Sequence, residues 1–460
     1  MNTRSILPPN VTCKRCVLGV LSGARIAVLA LAAATSGCST AMADPQSWLD
    51  KNVASLVDLY HQLHEAPELS LQEVKTAARL AEELKAAGYE VTTGVGGQGV
   101  VGILRNGRGK TLMIRTDLDA LPVVEETGLP YASKVRTRDQ RGATVGVMHA
   151  CGHDLHITNL IGVARYLASH RSEWSGTLML VGQPAEELGA GARAMLEDGL
   201  FSRYPLPDYA VALHVAADVP CGKVEYLAGY AQANVDSVDV TIKGRGGHGA
   251  SPHTTIDPIV IAARLVLDLQ TIVSRELDPT DPAVITVGSI HGGSKHNVIG
   301  DECKLQLTVR SYSPDVRDKL LAAIRRKASA AAASSGAPEP LVEVSEGTPA
   351  VYNDPALTDR VAKALRGALG EMNVDEAKPS MGGEDFSQYG LAGVPICMFK
   401  LGAVAQSRLD EFAARKEPPP SLHSPRFYPD AETGLRVGIP AMIAIAQDLL
   451  PPPGQGSDAE

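Results

Sequence analysis

The sequence is poor in aromatic residues and has no excess of positive charge. Phe, Trp and Tyr make up only 4% of its 460 residues, which leaves few rings for a surface that stacks nucleic-acid bases. Lys and Arg number 43 against 52 Asp and Glu, so the formal net charge is −9. Because nucleic acid is bound mainly through cationic side chains, the composition argues against nucleic acid as a partner.

Long hydrophobic runs are also missing, and no apolar run reaches the ~20 residues of a membrane span. The run IAVLALAAA at 26–34 follows basic residues and precedes small residues before Asp44. We therefore expect residues 1–43 to be a secretory signal and the protein to be exported, periplasmic or secreted. A lipoprotein anchor at Cys38 is the less favoured alternative, because Thr35 fits poorly at the first position of the TSGC box.

Cysteine is scarce outside that segment. Of seven cysteines, four follow it, at Cys151, Cys221, Cys303 and Cys397. They lie too far apart in sequence to suggest a disulfide framework. In an oxidising compartment a lone thiol needs protection by burial or by a metal.

Short apolar strands alternate with helical patterns through most of the chain. Helical spacing runs from Trp48 to Gly88, and Asp154 is expected to cap a later helix. Strands are expected at 111–117, 176–183, 208–215 and 395–402. This alternation predicts an α/β fold with a central, mostly parallel sheet flanked by helices.

The pattern changes after residue 229 to strand–helix–strand–strand–helix. These elements are expected at 235–244, 258–277, 283–293, 302–312 and 315–335. We therefore predict a catalytic domain in two parts, 44–228 and 343–450, interrupted by an inserted α+β domain at 229–342. A disordered tail is expected at 451–460.

The stretch MHACGHDLH at 148–156 is the densest cluster of potential metal ligands. Cysteine binds metal as a thiolate and histidine as a neutral imidazole. A lone cysteine is most often a small buried residue, but the neighbouring His153, Asp154 and His156 favour a metal site. A catalytic thiol is the weaker alternative, because Cys151 would need a histidine partner free of metal, and nearby acids disfavour its thiolate.

Further ligand-type residues lie at or near the ends of the predicted strands, where the sites of open α/β sheets gather. They are Asp117, Asp119, Glu186, Glu187 and His214, with His423 in the loop EPPPSLHSP. One of two adjacent glutamates can bind a metal while the other accepts a proton from water. A hydrolytic metal site needs that division of labour.

These motifs resemble the zinc-dependent aminoacylase and carboxypeptidase family, especially its branch of hippurate hydrolases and indole-acetyl-amino-acid hydrolases. The motifs RTDLDALP, GVMHACGHDLH, GQPAEELGAGA, ALHV, GRGGHGASPH, HNVIGD, MGGEDFSQY and LHSP follow that branch's order over about residues 48–450. MHACGHD together with PAEE is highly specific. The resemblance implies a two-metal amidohydrolase that cleaves N-acyl amino acids into a carboxylic acid and an amino acid.

The resemblance also implies roles for single residues. The implied metal ligands are Cys151, His153, Glu187, His214 and His423, with Cys151 shared by two divalent ions. Glu186 would be the general base, and Asp119 would orient a ligand. Asp117 lies where other branches carry a ligand histidine, which CGH is expected to supply here. Zinc is the expected metal, with manganese, cobalt and nickel as alternatives.

The inserted domain would then be a lid and the contact surface of a homodimer. His248 would stabilise the oxyanion in the partner subunit's site, and Asn297 and Arg310 would bind the substrate carboxylate or the tetrahedral intermediate. The planar, permanently charged guanidinium of Arg310 suits that task. The pocket loop from Met381 to Asp385 is given no chemical step.

Three alternatives stay open. The same metals can serve a carboxypeptidase or dipeptidase, with short peptides as substrates. An exported, noncatalytic binding protein would capture metal or peptide, although Glu186 argues against it. A cysteine-nucleophile hydrolase would not depend on metal. The preferred acyl group and amino acid are not determined by the sequence.

Overall fold

The computed structural model describes residues 44–452 of the chain. The predicted signal segment with Cys38, and the predicted tail beyond residue 452, lie outside the described residues. Among the helices of the described part, none is both long enough and apolar enough to cross a membrane.

The strands and helices are numbered in chain order. The strands are β1 (Glu90–Val95), β2 (Gly99–Asn106), β3 (Thr111–Asp117), β4 (Arg136–Arg138), β5 (Thr144–Gly146), β6 (Gly176–Gln183), β7 (Tyr209–Pro220), β8 (Val224–Tyr226), β9 (Gly229–Gln232), β10 (Asn234–Lys243), β11 (Gly247–His248), β12 (Ala283–Gly292), β13 (Val298–Ile299), β14 (Glu302–Ser311), β15 (Leu341–Glu346), β16 (Val351–Asn353), β17 (Val374–Glu376) and β18 (Ile396–Val404). The helices are α1 (Pro45–Glu65), α2 (Val74–Ala86), α3 (His153–Ser169), α4 (Gly191–Glu197), α5 (Leu200–Arg203), α6 (Pro258–Arg275), α7 (Pro314–Ala333), α8 (Pro355–Leu369), α9 (Ser387–Leu391), α10 (Gln406–Arg415) and α11 (Ala431–Leu449).

Asp-Pro pairs start several of the long helices. Asp44, Asp257 and Asp354 each precede a proline and accept a hydrogen bond from a backbone N–H of the first turn of α1, α6 and α8. Aspartate accepts a hydrogen bond from an N–H that has no partner inside the helix. Proline at the first helical position causes no loss of a helical hydrogen bond, because the N–H at that position would have no partner in the helix. A local Asp-Pro motif therefore determines where each of these helices begins.

The larger sheet has eight strands in the order β1-β2-β6-β3-β7-β18-β8-β17. Its centre, β6-β3-β7-β18, is parallel, while β1, β2 and β8 introduce antiparallel pairs. The prediction of a mostly parallel central sheet is confirmed.

Both faces of this sheet are covered. Successive side chains of a strand point to opposite faces, so Ile114 of β3 packs toward α1, α3 and α11 while Met113 packs toward α4 and α9. A sheet covered on both sides needs near-continuous apolar strands, and β3 is buried over nearly its whole length. A charged residue within β3 is therefore unexpected and needs partners that compensate for its burial.

A second, antiparallel sheet has the order β12-β14-β10-β15, with α6 and α7 packed on its apolar face. Along β14 buried and exposed residues alternate, as one covered face requires. The predicted α+β insert is confirmed as an element of the fold. Its fourth strand, β15, is not among the predicted strands, and the boundaries at 229 and 342 stay predictions.

The helical pattern of 48–88 corresponds to two helices, α1 and α2. They are separate because Pro67 cannot continue a hydrogen-bonded helix and Leu71 takes a left-handed conformation with φ 68°. One local expectation is wrong. Asp154 does not cap α3. The cap is Gly152 with φ 78°, and the Asp154 carboxylate in the first turn instead lies 2.6 Å from His64 Nδ1.

Candidate metal centre

The central parallel strands bring polar side chains into one row, at the end of β3 and within the longer β7. Asp117 ends β3 opposite Gln183 of β6, and His214 of β7 lies opposite Lys400 of β18. Directly opposed residues on neighbouring strands point to the same face. The strand order therefore brings ligand-type side chains from distant parts of the chain into one row.

The five predicted ligands converge beside this row. Cys151 Sγ lies 3.5 Å from His214 Nε2. Glu187 Oε1 lies 3.9 Å from His153 Nε2 and 3.5 Å from His423 Nε2. Ligand atoms of Cys151, His153 and His214 lie within 4.8 Å of one another, as do those of Cys151, Glu187 and His423. These two groups, which share Cys151, would be able to hold two divalent ions.

The donor set fits a pair of divalent cations. Among the described residues, His153 Nε2 and Glu187 Oε1 are buried without a hydrogen-bond partner, which is costly unless a ligand satisfies them. Thiolate, imidazole and carboxylate are the donors of zinc and of similar first-row metals. The geometry therefore agrees with the predicted ligand set, whose individual roles stay predictions.

Backbone carbonyls orient two of the histidines. His153 Nδ1 lies 2.8 Å from the carbonyl oxygen of Asp119, and His214 Nδ1 lies 2.8 Å from that of Val215. A carbonyl only accepts, so in the neutral form of each ring Nδ1 carries the proton and Nε2 presents its lone pair. That is the tautomer a metal ligand requires.

The Asp119 carboxylate holds the loop of a third ligand. Its Oδ2 accepts hydrogen bonds from Ser70 Oγ at 2.6 Å and from the backbone N–H of Glu187 at 3.0 Å. The break between α1 and α2 places Ser70 there. This position matches the orienting role expected of Asp119, which stays a prediction.

The loops that carry the ligands have unusual backbones. Gly152 turns the chain into α3 with φ 78°, and a Cβ there would come within 2.7 Å of the Val215 side chain. Ala185 (φ 50°) and His423 (φ 68°) take left-handed conformations without being glycine. Such conformations cost roughly 1–3 kcal/mol each and cluster at functional sites. The His423 N–H donates to the Ala150 carbonyl at 2.9 Å, which ties the two ligand loops together.

Glu186 is a buried carboxyl next to the ligand cluster. Burial raises its pKa well above the usual range, and the nearby Glu384 and Glu187 raise it further. Burial likewise raises the pKa of Glu187 to about 7. A carboxyl with a raised pKa suits the acceptance and return of a proton near neutral pH.

Arg115 lies near Glu186 and is almost completely buried. Its guanidinium donates to Asp117 at 2.7 Å, Glu384 at 2.8 Å and Asp385 at 3.1 Å. A fourth hydrogen bond reaches Gln183 Oε1 at 3.0 Å. This arginine cluster, Arg115 with Asp117, Gln183, Glu384 and Asp385, connects the first half of the chain to the loop after residue 380.

Charge also sets the state of Cys151 and His153. Burial raises the pKa of the Cys151 thiol well above its usual value, and the Glu187 and Glu186 carboxyl groups raise it further when they are ionised, so a thiolate needs a cation to stabilise it. Burial alone would lower the pKa of His153, but Asp117 and Asp119 raise it to about 10. The metal-binding forms, a Cys151 thiolate and a neutral His153, are thus the forms that bound divalent cations would favour.

A cavity of about 880 Å³ opens above the ligands. Arg310 lines it and donates from Nη1 to the Met381 carbonyl at 2.6 Å. His248 and Asn297 do not line it. They lie side by side where β11 pairs with β13, and the Gly249 N–H donates to the Asn297 carbonyl at 2.9 Å. Their predicted action on a partner subunit's site stays a prediction.

Three charged residues near this site were not assigned chemistry from the sequence. Arg115 lies inside an apolar strand, and this position could have indicated from the sequence that its charge is buried. Glu384 and Asp385 belong to the pocket loop that received no chemical step, yet they lie within 4.8 Å of Glu186 through their carboxylate oxygens.

Comparison with known proteins agrees with this geometry. Residues 113–417 match the model of peptidase family M20/M25/M40. The hippurate hydrolase of Campylobacter jejuni is 39% identical over 71% of this chain and 82% of its own length. Thermostable carboxypeptidase 1 of Saccharolobus solfataricus is 38% identical over 75% and 85% of the two chains.

A solved structure shares this fold. The Bacillus subtilis YXEP protein, a dinuclear metal-binding peptidase of the M20 family, matches with a TM-score of 0.72 and 30% identity, covering 88% of this chain and 99% of its own. The resemblance seen in the sequence motifs is confirmed. The chain belongs to peptidase family M20/M25/M40 and is a metallo-hydrolase that acts on C–N bonds.

Proposed function

We propose that this protein hydrolyses N-acyl amino acids, releasing a carboxylic acid and a free amino acid. The observation that carries the proposal is the pairing of Glu186, a buried acid outside the predicted ligand set, with Glu187, whose oxygen faces His153 and His423. The relation to a hippurate hydrolase supports the choice of substrate class. The relation to a carboxypeptidase supports peptide hydrolysis as the alternative function.

The ligand atoms of Cys151, His153, Glu187, His214 and His423 would hold two divalent ions, with zinc as the favoured metal. When bound, such ions polarise the amide carbonyl and lower the pKa of water. Glu186 accepts the proton of the attacking water on its carboxylate. It then returns that proton to the amide nitrogen as the C–N bond breaks, so that the amine leaves neutral.

Arg310 is assigned to the carboxylate of the amino-acid part. It lines the same cavity as Glu186, and its guanidinium is held by the Met381 carbonyl. A fixed, planar cation binds a carboxylate through paired hydrogen bonds. His248 would reach the oxyanion of a partner subunit in the homodimer that we propose, and export through residues 1–43 likewise remains a proposal.

Replacing Glu186 by Gln tests the assignment of the base. We expect kcat on N-benzoylglycine or N-acetyl amino acids to fall by about 10²–10⁴-fold, while metal content measured by mass spectrometry stays at the wild-type level. Glu197→Gln, at an exposed position of α4, is the matched control. A Glu186→Gln enzyme with wild-type turnover would remove Glu186 from the mechanism.

Two further assays separate the alternatives. N-benzoylglycine compared with glycyl dipeptides and N-blocked dipeptides distinguishes an acylase from a dipeptidase or carboxypeptidase. A chelator followed by zinc, manganese, cobalt or nickel distinguishes metal-dependent hydrolysis from a cysteine nucleophile, which would survive chelation. A metal-loaded protein inert toward every acylated amino acid and peptide would instead favour a binding function.

A further inference from the structure

We infer that Lys400 makes the enzyme selective for N-acyl amino acids whose acyl group ends in a carboxylate. The inference rests on the proposed function and narrows its substrate class. It comes from a cationic side chain that occupies the cavity beside a predicted metal ligand and has no hydrogen-bond partner within the described residues.

The position of Lys400 follows from strand register. Lys400 of β18 lies opposite His214 of β7 in a parallel pair. Opposed residues on adjacent strands point to the same face, so Lys400 projects between His214 on one side and Glu225 of β8, its antiparallel partner, on the other. Lys400 and His214 both line the 880 Å³ cavity. A substrate held over the ligands would therefore pass within reach of the ammonium.

The rest of this face of β18 is apolar. Ile396 and Met398, which point the same way, are buried at 2% and 5% exposure in the core beneath the sheet. The Lys400 side chain is 33% exposed. On this face of β18, buried apolar residues are therefore followed by a lysine where the strand reaches the cavity. The ammonium group of that lysine is accessible to solvent or to a ligand.

The ammonium of Lys400 has unused donors. Its nearest carboxylate is Glu225 Oε2, at 3.8 Å, which is beyond a hydrogen bond. Glu225 therefore balances the charge partly but leaves the three N–H donors unsatisfied by the described residues. An incoming carboxylate can accept from them without displacing an existing hydrogen bond.

The second cation of the cavity decides which end of the substrate meets Lys400. Arg310 lines the cavity from β14 of the inserted sheet, while Lys400 lines it from the central sheet. With Arg310 on the carboxylate of the amino-acid part, Lys400 is left for the acyl part. A substrate with an anionic group at each end would satisfy both cations, whereas a simple acetyl or benzoyl group satisfies only one.

Two substrates that differ only in the terminal group test the inference. N-succinyl-alanine and N-butanoyl-alanine have acyl chains of the same length, one ending in a carboxylate and the other in a methyl group. We expect wild type to prefer the succinyl substrate in kcat/KM. We expect Lys400→Met to lower the succinyl-to-butanoyl ratio by about 10-fold or more, mainly through KM, as loss of a charge-assisted hydrogen bond predicts.

Lys223→Met is the matched control. Lys223 is a neighbouring lysine that pairs with Asp375 outside the cavity lining, at 2.8 Å, and its loss should leave the ratio unchanged. Lys400→Arg should retain part of the preference. Product inhibition of the wild-type enzyme gives a measurement that needs no variant: succinate should inhibit more strongly than butyrate.

The outcomes separate this inference from the proposed function. Hydrolysis of both substrates with a ratio that Lys400→Met does not change, or equal inhibition by succinate and butyrate, would overturn the selectivity while leaving the acylase function intact. A metal-loaded wild type that cleaves neither these substrates nor N-benzoylglycine would overturn the proposed function itself.

Discussion

Strand β3 of the central sheet and strand β14 of the inserted sheet both carry charged residues, but in opposite surroundings. Arg115 and Asp117 of β3 are exposed by 2% and 0%. Along β14 the charged Glu302 and Lys304 face solvent and alternate with the buried Cys303 and Leu305. One strand is covered on both sides, and the other on one side only.

The difference between the two strands shows that a buried charge indicates a functional site more clearly than an exposed charge does. A charge on an exposed face costs little and contributes little. A buried charge loses several kcal/mol of hydration and persists only when partners compensate for it. The charges of β3 are therefore held by one another near Glu186, whereas Glu302 and Lys304 of β14 mark the solvent side of a sheet.

The largest expected effect comes from breaking the arginine cluster. Arg115→Met leaves Asp117, Glu384 and Asp385 buried without their shared cation, and we expect the free energy of unfolding to fall by about 3–5 kcal/mol. Urea unfolding at constant zinc concentration measures it. Lys304→Met, at a lysine with 59% side-chain exposure, is the control and should unfold like wild type. Equal losses in the two variants would contradict the comparison.

Much of the fold was predictable because it depends on local patterns. The predicted strands 111–117 and 176–183 have the observed bounds of β3 and β6. Their apolar runs are long enough to be strands and too short to be helices. The ligands Cys151 and His153 lie in one short motif, and the remaining ligand candidates follow predicted strands or lie in a proline-rich loop.

What escaped prediction depends on contacts between distant parts of the chain. Arg115 and Glu384 are 269 residues apart in sequence, and no local pattern indicates their contact. Strand β15 pairs with β10 across two helices and two long strands. The place of Lys400 beside His214 requires the register of two strands, which the sequence does not specify.

A smaller effect, per pH unit, is expected from His64, a buried histidine of the central region. Its Nδ1 lies 2.6 Å from Asp154 and its Nε2 lies 3.1 Å from Glu125. Burial alone would lower the pKa of His64, but these carboxylates raise it to about 10. A folded-state pKa above the unfolded value means that the stabilisation is complete below about pH 6.5 and is lost as pH rises toward 10.

We therefore expect the free energy of unfolding to fall between pH 7 and pH 10, by at most about 1.4 kcal/mol per pH unit from this group. His64→Gln should be less stable at pH 7 and should show a flatter decline, because the titrating group is gone. His253→Gln, at an exposed position of the insert, should keep the wild-type slope. Parallel curves for His64→Gln and wild type would assign the pH dependence to other groups.

The smallest expected effect comes from two substitutions that compare the apolar packing of the central and inserted sheets. Ile114 of β3 and Ile324 of α7 are 1% and 0% exposed, in the apolar cores of the central and inserted sheets. Valine at either position removes one methylene, and each variant should lose about 0.5–1.5 kcal/mol by urea unfolding. Similar losses would mean that apolar packing is equivalent in the two regions and that buried ion pairs make the difference. A much larger loss at Ile114 would instead attribute the sensitivity of the central sheet to its packing, and the arginine cluster would no longer be needed to explain it.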